Sequence, residues 1–361
     1  MSERVRVAVL GHGVVGRGVA ELLTRPQNGV AAAKFGREPE LGAVLDIRDF
    51  PDAPYSRLFA RSFDDILADE SIAVFAETIG GVRAAYDYTK RALAAGRHVV
   101  TSNKELVSTH GASLLRLARE RNVNYMFEAS VGGGIPVIRP LARSFAADRI
   151  TAVSGILNGT TNFVLTKMAE DGRSMLAALD EARERGYAEA DPSDDMEGKD
   201  TCRKIAILAS LAFGRHIYPK YIPTFGISYI TAAHIAQAAA LGCAIKLLGR
   251  AGLREDGLTD IITAPFLVPF SHPFCAVRDV YNAVFITADR AGDVMLYGRG
   301  AGREPTASAV LADIYDCVRH IAQSVSVLWE DTKADITAAG APDGARYAEF
   351  PDGSKMRYLP T

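Results

Sequence analysis

Asp200 and Lys204 stand four residues apart, a spacing that sets both side chains on one helix face in line with Leu208 and Leu211. Charge therefore runs into an apolar stripe, although an ordinary surface ion pair contributes little and belongs on a polar face. A lysine half-buried beside an aspartate can bind a substrate hydroxyl or relay its proton, because burial lowers the lysine pKa while the carboxylate opposes that shift. A structural ion pair is the other reading. Immediately upstream, in Gly186–Asp200, six carboxylates fall within twelve residues. By itself that segment reads as a solvated acidic turn with Asp195 or a neighbour capping the next helix; beside Lys204 it reads as part of one site.

Two further segments carry candidate chemistry. Lys104 follows the apolar run of Val99-Val100-Thr101-Ser102-Asn103-Lys104-Glu105, where a doubly wound sheet binds its ligands at the carboxyl ends of strands; a surface lysine opening a helix is the alternative. Asn158-Gly159-Thr160-Thr161-Asn162 precedes an apolar helix and serves either as a helix cap or as backbone amides for a substrate carboxylate.

The elements that must position these residues begin with a valine-rich strand, Arg4–Leu10, running into Gly11-His12-Gly13-Val14-Val15-Gly16 and then a helical stretch through Leu23. In that context Gly11 permits a tight turn, Gly13 lets backbone approach a pyrophosphate, and Gly16 lets the helix pack on the strand; a structural glycine turn is the competing reading. Strand candidates at Gly42–Ile47, Ala73–Phe75, Val99–Thr101 and Val123–Phe127 alternate with helical patterns at Ala84–Ala95 and Gly111–Arg121. That rhythm predicts an α/β fold with an N-terminal Rossmann domain, a doubly wound parallel sheet.

Glu128-Ala129-Ser130-Val131-Gly132-Gly133-Gly134-Ile135-Pro136 breaks the rhythm and reads as the hinge. Beyond it, helices at Phe163–Glu170, Met175–Arg185 and Asp200–Phe213 mix with strands at Asp260–Pro265 and Ala283–Thr287, an α+β pattern suited to a substrate and dimerisation domain. The expected division is 1–131 for the dinucleotide domain, 132–318 for the second domain, and 319–361 for a helix end and tail appendage with a weak strand around Met356–Leu359.

Composition narrows the class. Hydrophobic residues are 48% and charged residues 23% of 361, which excludes a disordered tail. A formal charge of −2 supplies no footprint for nucleic acid. Apolar runs such as Ile205–Phe213 fall short of the ~20 residues a bilayer span needs. The N-terminus carries no export pattern, and Cys202, Cys243, Cys275 and Cys317 lack the close spacing of zinc or disulfide frameworks. A cytoplasmic protein without nucleic-acid or membrane partners is expected. No serine sits in a G-x-S-x-G elbow and no H-E-x-x-H occurs, so hydrolase and zinc-enzyme readings lose their usual support.

These motifs together closely resemble homoserine dehydrogenase over nearly all of residues 4–320. The resemblance rests on the glycine fingerprint, Thr101–Lys104, Glu128–Pro136, Gly155–Asn162, Gly186–Lys204 and Gly300-Ala301-Gly302-Arg303-Glu304-Pro305-Thr306-Ala307-Ser308-Ala309. It implies reversible, NAD(P)-dependent interconversion of L-homoserine and L-aspartate 4-semialdehyde, in the branch leading to threonine and methionine. By matching position it implies Lys104 and Lys204 as the lysines of proton transfer, with Asp200 beside Lys204. Glu189 matches the ligand of the substrate ammonium, and Gly159, Thr160, Tyr187 and Asp195 match other substrate contacts.

The resemblance further implies Gly11, Gly13, Val14, Val15, Gly16, Arg48, Gly80, Ser102, Lys104 and Gly302 at the cofactor. It implies a monovalent cation, sodium, at Glu128, Val131, Gly133 and Ile135, for which a plain interdomain hinge is the alternative, and a homodimer formed through the second domain. In Asp46-Ile47-Arg48-Asp49 both cofactor signals are present, since an acidic strand tip favours NAD and an arginine favours NADP; the placement of Arg48 favours NADP. Many relatives carry a C-terminal ACT domain of roughly 75 residues, and the about 40 residues beyond the core here are too few for one, so threonine inhibition through such a domain is not expected.

A different Rossmann oxidoreductase and a catalytically silent nucleotide-binding regulator are the competing classes. An aldehyde-oxidising enzyme would want an activated cysteine, for which Cys202 is a candidate by proximity alone. A silent regulator should have lost a reactive group, yet Lys104, Asp200 and Lys204 are all present.

Overall fold

A computed structural model describes residues 3–25, 36–331 and 345–360. The chain divides into two units, Met1–Ile138 with Gly302–Asp331 and Arg139–Ala301 with Thr332–Thr361.

In the first unit β1 (Glu3–Leu10), β2 (Arg37–Leu45), β3 (Phe59–Ala60), β4 (Ile72–Glu77), β5 (His98–Thr101) and β6 (Tyr125–Met126) form one sheet in the order β3-β2-β1-β4-β5-β6. Every pairing is parallel. β1 is exposed at its start and buried without alternation from Val7 onward, as a strand covered on both faces must be. The order reverses between β1 and β4, and that switch point is where such a sheet binds ligands. Helices Val14–Thr24, Arg83–Ala94 and Lys104–Glu120 cross between the strands, as their apolar periodicity predicts.

Helix Arg303–Arg319 belongs to this first unit, which corrects the expected placement of 132–318 in one domain. Ala307, Val310, Ile314, Cys317 and Val318 are buried in one cluster with Val5, Val7, Val9 and Val19. A Cβ on Gly18 would stand 2.9 Å from that of Ala307, so the two helices meet where neither carries bulk. The same unit keeps Trp329, edge-on to Phe127 with ring centroids 5.5 Å apart.

The second unit is built on β7 (Ile150–Ile156), β8 (Cys243–Leu253), β9 (Thr259–Pro269), β10 (Tyr281–Ala288), β11 (Gly292–Arg299), β12 (Tyr347–Glu349) and β13 (Lys355–Tyr358), in the order β11-β10-β7-β8-β9-β13-β12. Pairing is antiparallel apart from β13 on β9. Helices Gly159–Glu170, Met175–Glu184, Lys199–Phe213 and Ala232–Ala240 complete it. Of the expected tail appendage, 332–344 and Thr361 lie outside the described residues. Its expected weak strand is β13, which places Met356 in the core with Leu267 and Phe350. Among the described residues no helix is long and apolar enough to cross a membrane.

Candidate active site

In the second unit, helix Lys199–Phe213 begins and ends at left-handed glycines, Gly198 and Gly214. Between them it is buried on nearly every side, including Asp200, Thr201, Lys204 and Ser210. Lys204 Nζ donates to Asp200 Oδ2 at 2.7 Å and to the Leu157 carbonyl at 2.8 Å. Asn158 Nδ2 donates to the same Asp200 oxygen at 2.9 Å and to Asp195 Oδ1 at 2.7 Å. Asn158 Oδ1 accepts the Thr161 N–H at 2.9 Å, capping helix Gly159–Glu170. A buried ion pair persists only when its remaining hydrogen-bond capacity is met, and here Asn158 and Leu157 meet it.

This geometry brings Asp200, Lys204 and Asp195 together with the Asn158–Asn162 segment. Thr160 joins through its hydroxyl, which donates to the Tyr187 carbonyl at 2.9 Å. Gly159 is tightly packed, since a Cβ there would stand 3.0 Å from the Val280 carbonyl oxygen. The Tyr187 ring is part-exposed and meets Phe163 edge-on at 5.3 Å between centroids. Glu189 is exposed on the same segment.

In the first unit the fingerprint glycines obey steric necessity. Gly11 has φ of +91°. A Cβ on Gly16 would fall 1.9 Å from the Gly11 carbonyl oxygen and 2.5 Å from Thr78 Oγ1, whereas one on Gly13 would meet nothing within 4 Å. Helix Val14–Thr24 starts at Gly13 without a side-chain cap, and Val14 is exposed. Uncapped N–H groups at a helix start suit an anion. Val15 and Gly16 continue this first turn.

Asp46, just past β2, accepts the His12 N–H at 2.7 Å and the Arg48 N–H and Nε–H at 2.9 and 3.0 Å. Burial works to raise its pKa, but these hydrogen bonds win and hold it at about 2. Arg48 itself is 60% exposed, with its guanidinium over the Phe50 ring. Gly80 is exposed. Ser102 is half-buried, and half-buried Lys104 is the first residue of a helix capped by Asn103. Gly302, at φ of +123°, starts helix Arg303–Arg319.

The Glu128–Pro136 segment is turned by two consecutive left-handed glycines, Gly132 and Gly133. Glu128, Val131, Gly133 and Ile135 are all buried. Glu128 Oε1 accepts the Val137 and Ile138 N–H groups at 2.6 and 2.7 Å. Among the described residues no three histidine, cysteine or carboxylate side chains gather as metal ligands. The segment offers one carboxylate and backbone carbonyls, oxygen donors of the kind a hard cation takes.

Two buried polar side chains have contacts that the sequence reading did not foresee. Asn158 joins both aspartates to the helix start, but an asparagine before an apolar helix signals only a cap. Lys246 is a lysine inside the apolar strand β8, and that interruption was the available signal. It is buried, donates to Asn162 Oδ1 at 3.0 Å and to the Val277 carbonyl at 2.7 Å, and burial lowers its pKa to about 8. Asn162 donates in turn to the Asp279 carbonyl at 2.9 Å and the Tyr281 carbonyl at 3.1 Å, fixing the helix start against the 277–281 loop.

The chain as a whole is similar to known proteins. Residues 11–128 match the family model described as homoserine dehydrogenase, NAD binding domain, and 136–315 match that of homoserine dehydrogenase. The homoserine dehydrogenase of Lactococcus lactis is 40% identical over 321 residues, 87% of this chain and 74% of that protein. That of Mycobacterium tuberculosis is 39% identical over 352 residues, 96% of this chain and 76% of its own length. The crystal structure of a homoserine dehydrogenase from Thiobacillus denitrificans superimposes with a TM-score of 0.84 at 37% identity, covering 88% of this chain and 74% of that one. A hyperthermophilic archaeal homoserine dehydrogenase mutant in complex with NADPH matches with a TM-score of 0.71 at 25% identity, over 87% of this chain and 97% of that one. With both family models matched in order across most of its length, the chain belongs to the homoserine dehydrogenase family.

Proposed function

We propose that this NAD(P)-dependent homoserine dehydrogenase moves the proton of the reacting hydroxyl through its two site lysines. The observation that carries the reading is the buried Asn158–Asp200–Lys204 cluster. In the direction of oxidation, the bond between the hydroxyl-bearing carbon and its hydrogen breaks and the hydroxyl proton departs, leaving the aldehyde of L-aspartate 4-semialdehyde. The nicotinamide, when bound, takes or returns the hydride. Lys204, as the neutral amine, binds the substrate oxygen and takes its proton, directly or through water, becoming the ammonium that Asp200 and the Leu157 carbonyl orient. Lys104, at the carboxyl end of β5, is the second lysine of this proton transfer.

Thr160, Gly159, Tyr187 and Asp195 line the amino-acid end, and Glu189 takes the substrate ammonium. Exposure of Glu189, two residues past Tyr187, supports that role. Glu189→Gln removes a charge-assisted contact present throughout the reaction, so KM for homoserine rises about 10-fold with kcat nearly kept. Unchanged KM together with weakened NADPH binding assigns Glu189 to another site.

Gly11, Gly13, Val14, Val15 and Gly16 cradle the pyrophosphate, with Gly80, Ser102 and Gly302 further along the cofactor. NADP is preferred. Asp46 is already engaged with the glycine loop and Arg48, while Arg48 keeps an exposed guanidinium able to pair with a 2′-phosphate. Arg48→Ala weakens NADP by roughly 10–100-fold and NAD by far less, read by homoserine oxidation with each cofactor in turn. Equal losses, or a wild type that prefers NAD, mean that Asp46 or Asp49 governs the pocket.

Glu128, Val131, Gly133 and Ile135 hold sodium. The enzyme is a homodimer formed through the second unit, where Tyr297 stays exposed on the edge strand β11. It works in the cytoplasm, a reducing compartment consistent with its four free cysteines.

A further inference from the structure

A closed ring of hydrogen bonds surrounds Glu77, the last residue of β4. The side chain is fully buried. Its Oε1 accepts the Ile79 N–H at 2.6 Å, and its Oε2 accepts the Thr101 hydroxyl at 2.6 Å. Thr101, which ends β5, accepts the Asn103 N–H on that same hydroxyl at 2.9 Å. Asn103 completes the circuit by donating Nδ2 to the Ile79 carbonyl at 3.1 Å and to the Gly81 carbonyl at 2.6 Å. Its Oδ1 caps the next helix through the Leu106 N–H at 3.0 Å, and Lys104 is the first residue of that helix.

The two backbone N–H groups in this ring can only donate. With the Thr101 proton given to Glu77, both Glu77 oxygens accept, the pattern that an ionised carboxylate completes. A protonated carboxyl, or a glutamine, either sets a donor against the Ile79 N–H or displaces the Thr101 proton from the ring.

We propose that Glu77 is a positioning residue for Lys104: its ionised carboxylate fixes the loops that follow β4 and β5 so that Lys104 meets the reacting oxygen. This rests on the role given to Lys104 above. Glu77 is flanked by Leu10 on β1 and by Thr101 on β5. From β6 the Tyr125 phenol is pushed well above its usual pKa, first by its burial and then by the charge of Glu77. Burial lifts the pKa of Glu77 to about 7. The carboxylate is therefore present above that pH and lost below it, and turnover falls along that acid limb as the ring opens.

The test measures homoserine oxidation from pH 5.5 to 9 in the intact enzyme, with NADPH titration and Tm recorded for each variant. Glu77→Gln is expected to lower kcat by ~10–100-fold, the scale of a misplaced catalytic group, and to erase the acid limb near pH 7. KM for homoserine should stay within about two-fold, because the contacts that bind the amino acid are untouched. Thr101→Val, which removes the hydroxyl alone, should copy the kcat loss, and Thr101→Ser should restore it; this pair decides the matter if Glu77→Gln fails to fold. Wild-type kcat and an unchanged acid limb in Glu77→Gln, or wild-type kcat in Thr101→Val, overturn the proposal. Lys104→Met runs alongside. If it loses turnover while the ring variants do not, only the ring inference fails, whereas full activity of Lys104→Met overturns the role of Lys104 and the inference with it.

Discussion

Lys204→Met lowers turnover of homoserine by at least ~10², the lower range for losing a general acid-base group, and leaves NADPH binding within about two-fold of wild type. The reasoning starts from where Lys204 spends its donors. Two of its three N–H groups are engaged by Asp200 and the Leu157 carbonyl, so the ammonium is held in one orientation with a third proton in hand. Methionine keeps the length of the stem and removes all three donors. Stability should drop as well, since breaking a buried pair costs about 3–5 kcal/mol, although Asp200 keeps the Asn158 amide. Cofactor affinity is the control, because the glycine loop lies in the other unit.

Lys104→Met should show the same loss of kcat for a different structural reason. Lys104 opens a helix whose cap and preceding turn fix the backbone. The smaller Tm change expected for Lys104→Met than for Lys204→Met follows from its half-buried position against the buried one of Lys204. Steady-state kinetics, thermal melting and a fluorescence titration with NADPH are sufficient. Near-normal turnover in both variants would sink the assignment of either lysine to proton transfer.

What could be read from sequence was what is local. The strand, glycine turn and helix of residues 3–24 are contiguous, and their sterics follow from the spacing of Gly11, Gly13 and Gly16 alone. Asp200 and Lys204 were legible for the same reason, as an i, i+4 pair on one face. Helix Arg303–Arg319 was misplaced because its partner stripe on β1 and the first helix lies nearly three hundred residues earlier, and chain order carries no record of that return. β8 was missed because Lys246 and the glycines of Cys243–Leu253 interrupt its apolar run; only the packing shows the lysine satisfied by Asn162 and Val277. Asp46 and Arg48 gave conflicting cofactor signals that no spacing could separate, since they pair with each other and with the backbone of His12 across 34 and 36 residues.

Gly16→Ala is expected to weaken NADPH binding by at least ~10² and to lower stability by about 1–3 kcal/mol, the usual cost of forcing atoms into filled space. The added methyl would start 1.9 Å from the Gly11 carbonyl oxygen and 2.5 Å from Thr78 Oγ1. Neither contact is the end of a flexible side chain, because Thr78 Oγ1 donates to the Gly11 carbonyl at 2.8 Å and is held there. The helix must therefore move away from the strand, carrying the uncapped N–H groups at Val14 and Val15 with it. Gly13→Ala provides the discriminating partner. Its φ of −77° is open to alanine and its Cβ would meet nothing within 4 Å, so Tm should stay within about 2 °C of wild type. That open space is where a pyrophosphate has to approach the backbone, and Gly13→Ala should weaken NADPH by roughly 10-fold or more through occlusion alone. Loss of affinity with stability kept in Gly13→Ala, and loss of both in Gly16→Ala, separates a contact surface from a packing constraint within one six-residue turn. Wild-type NADPH affinity in Gly13→Ala would mean that the phosphates do not pass over this loop.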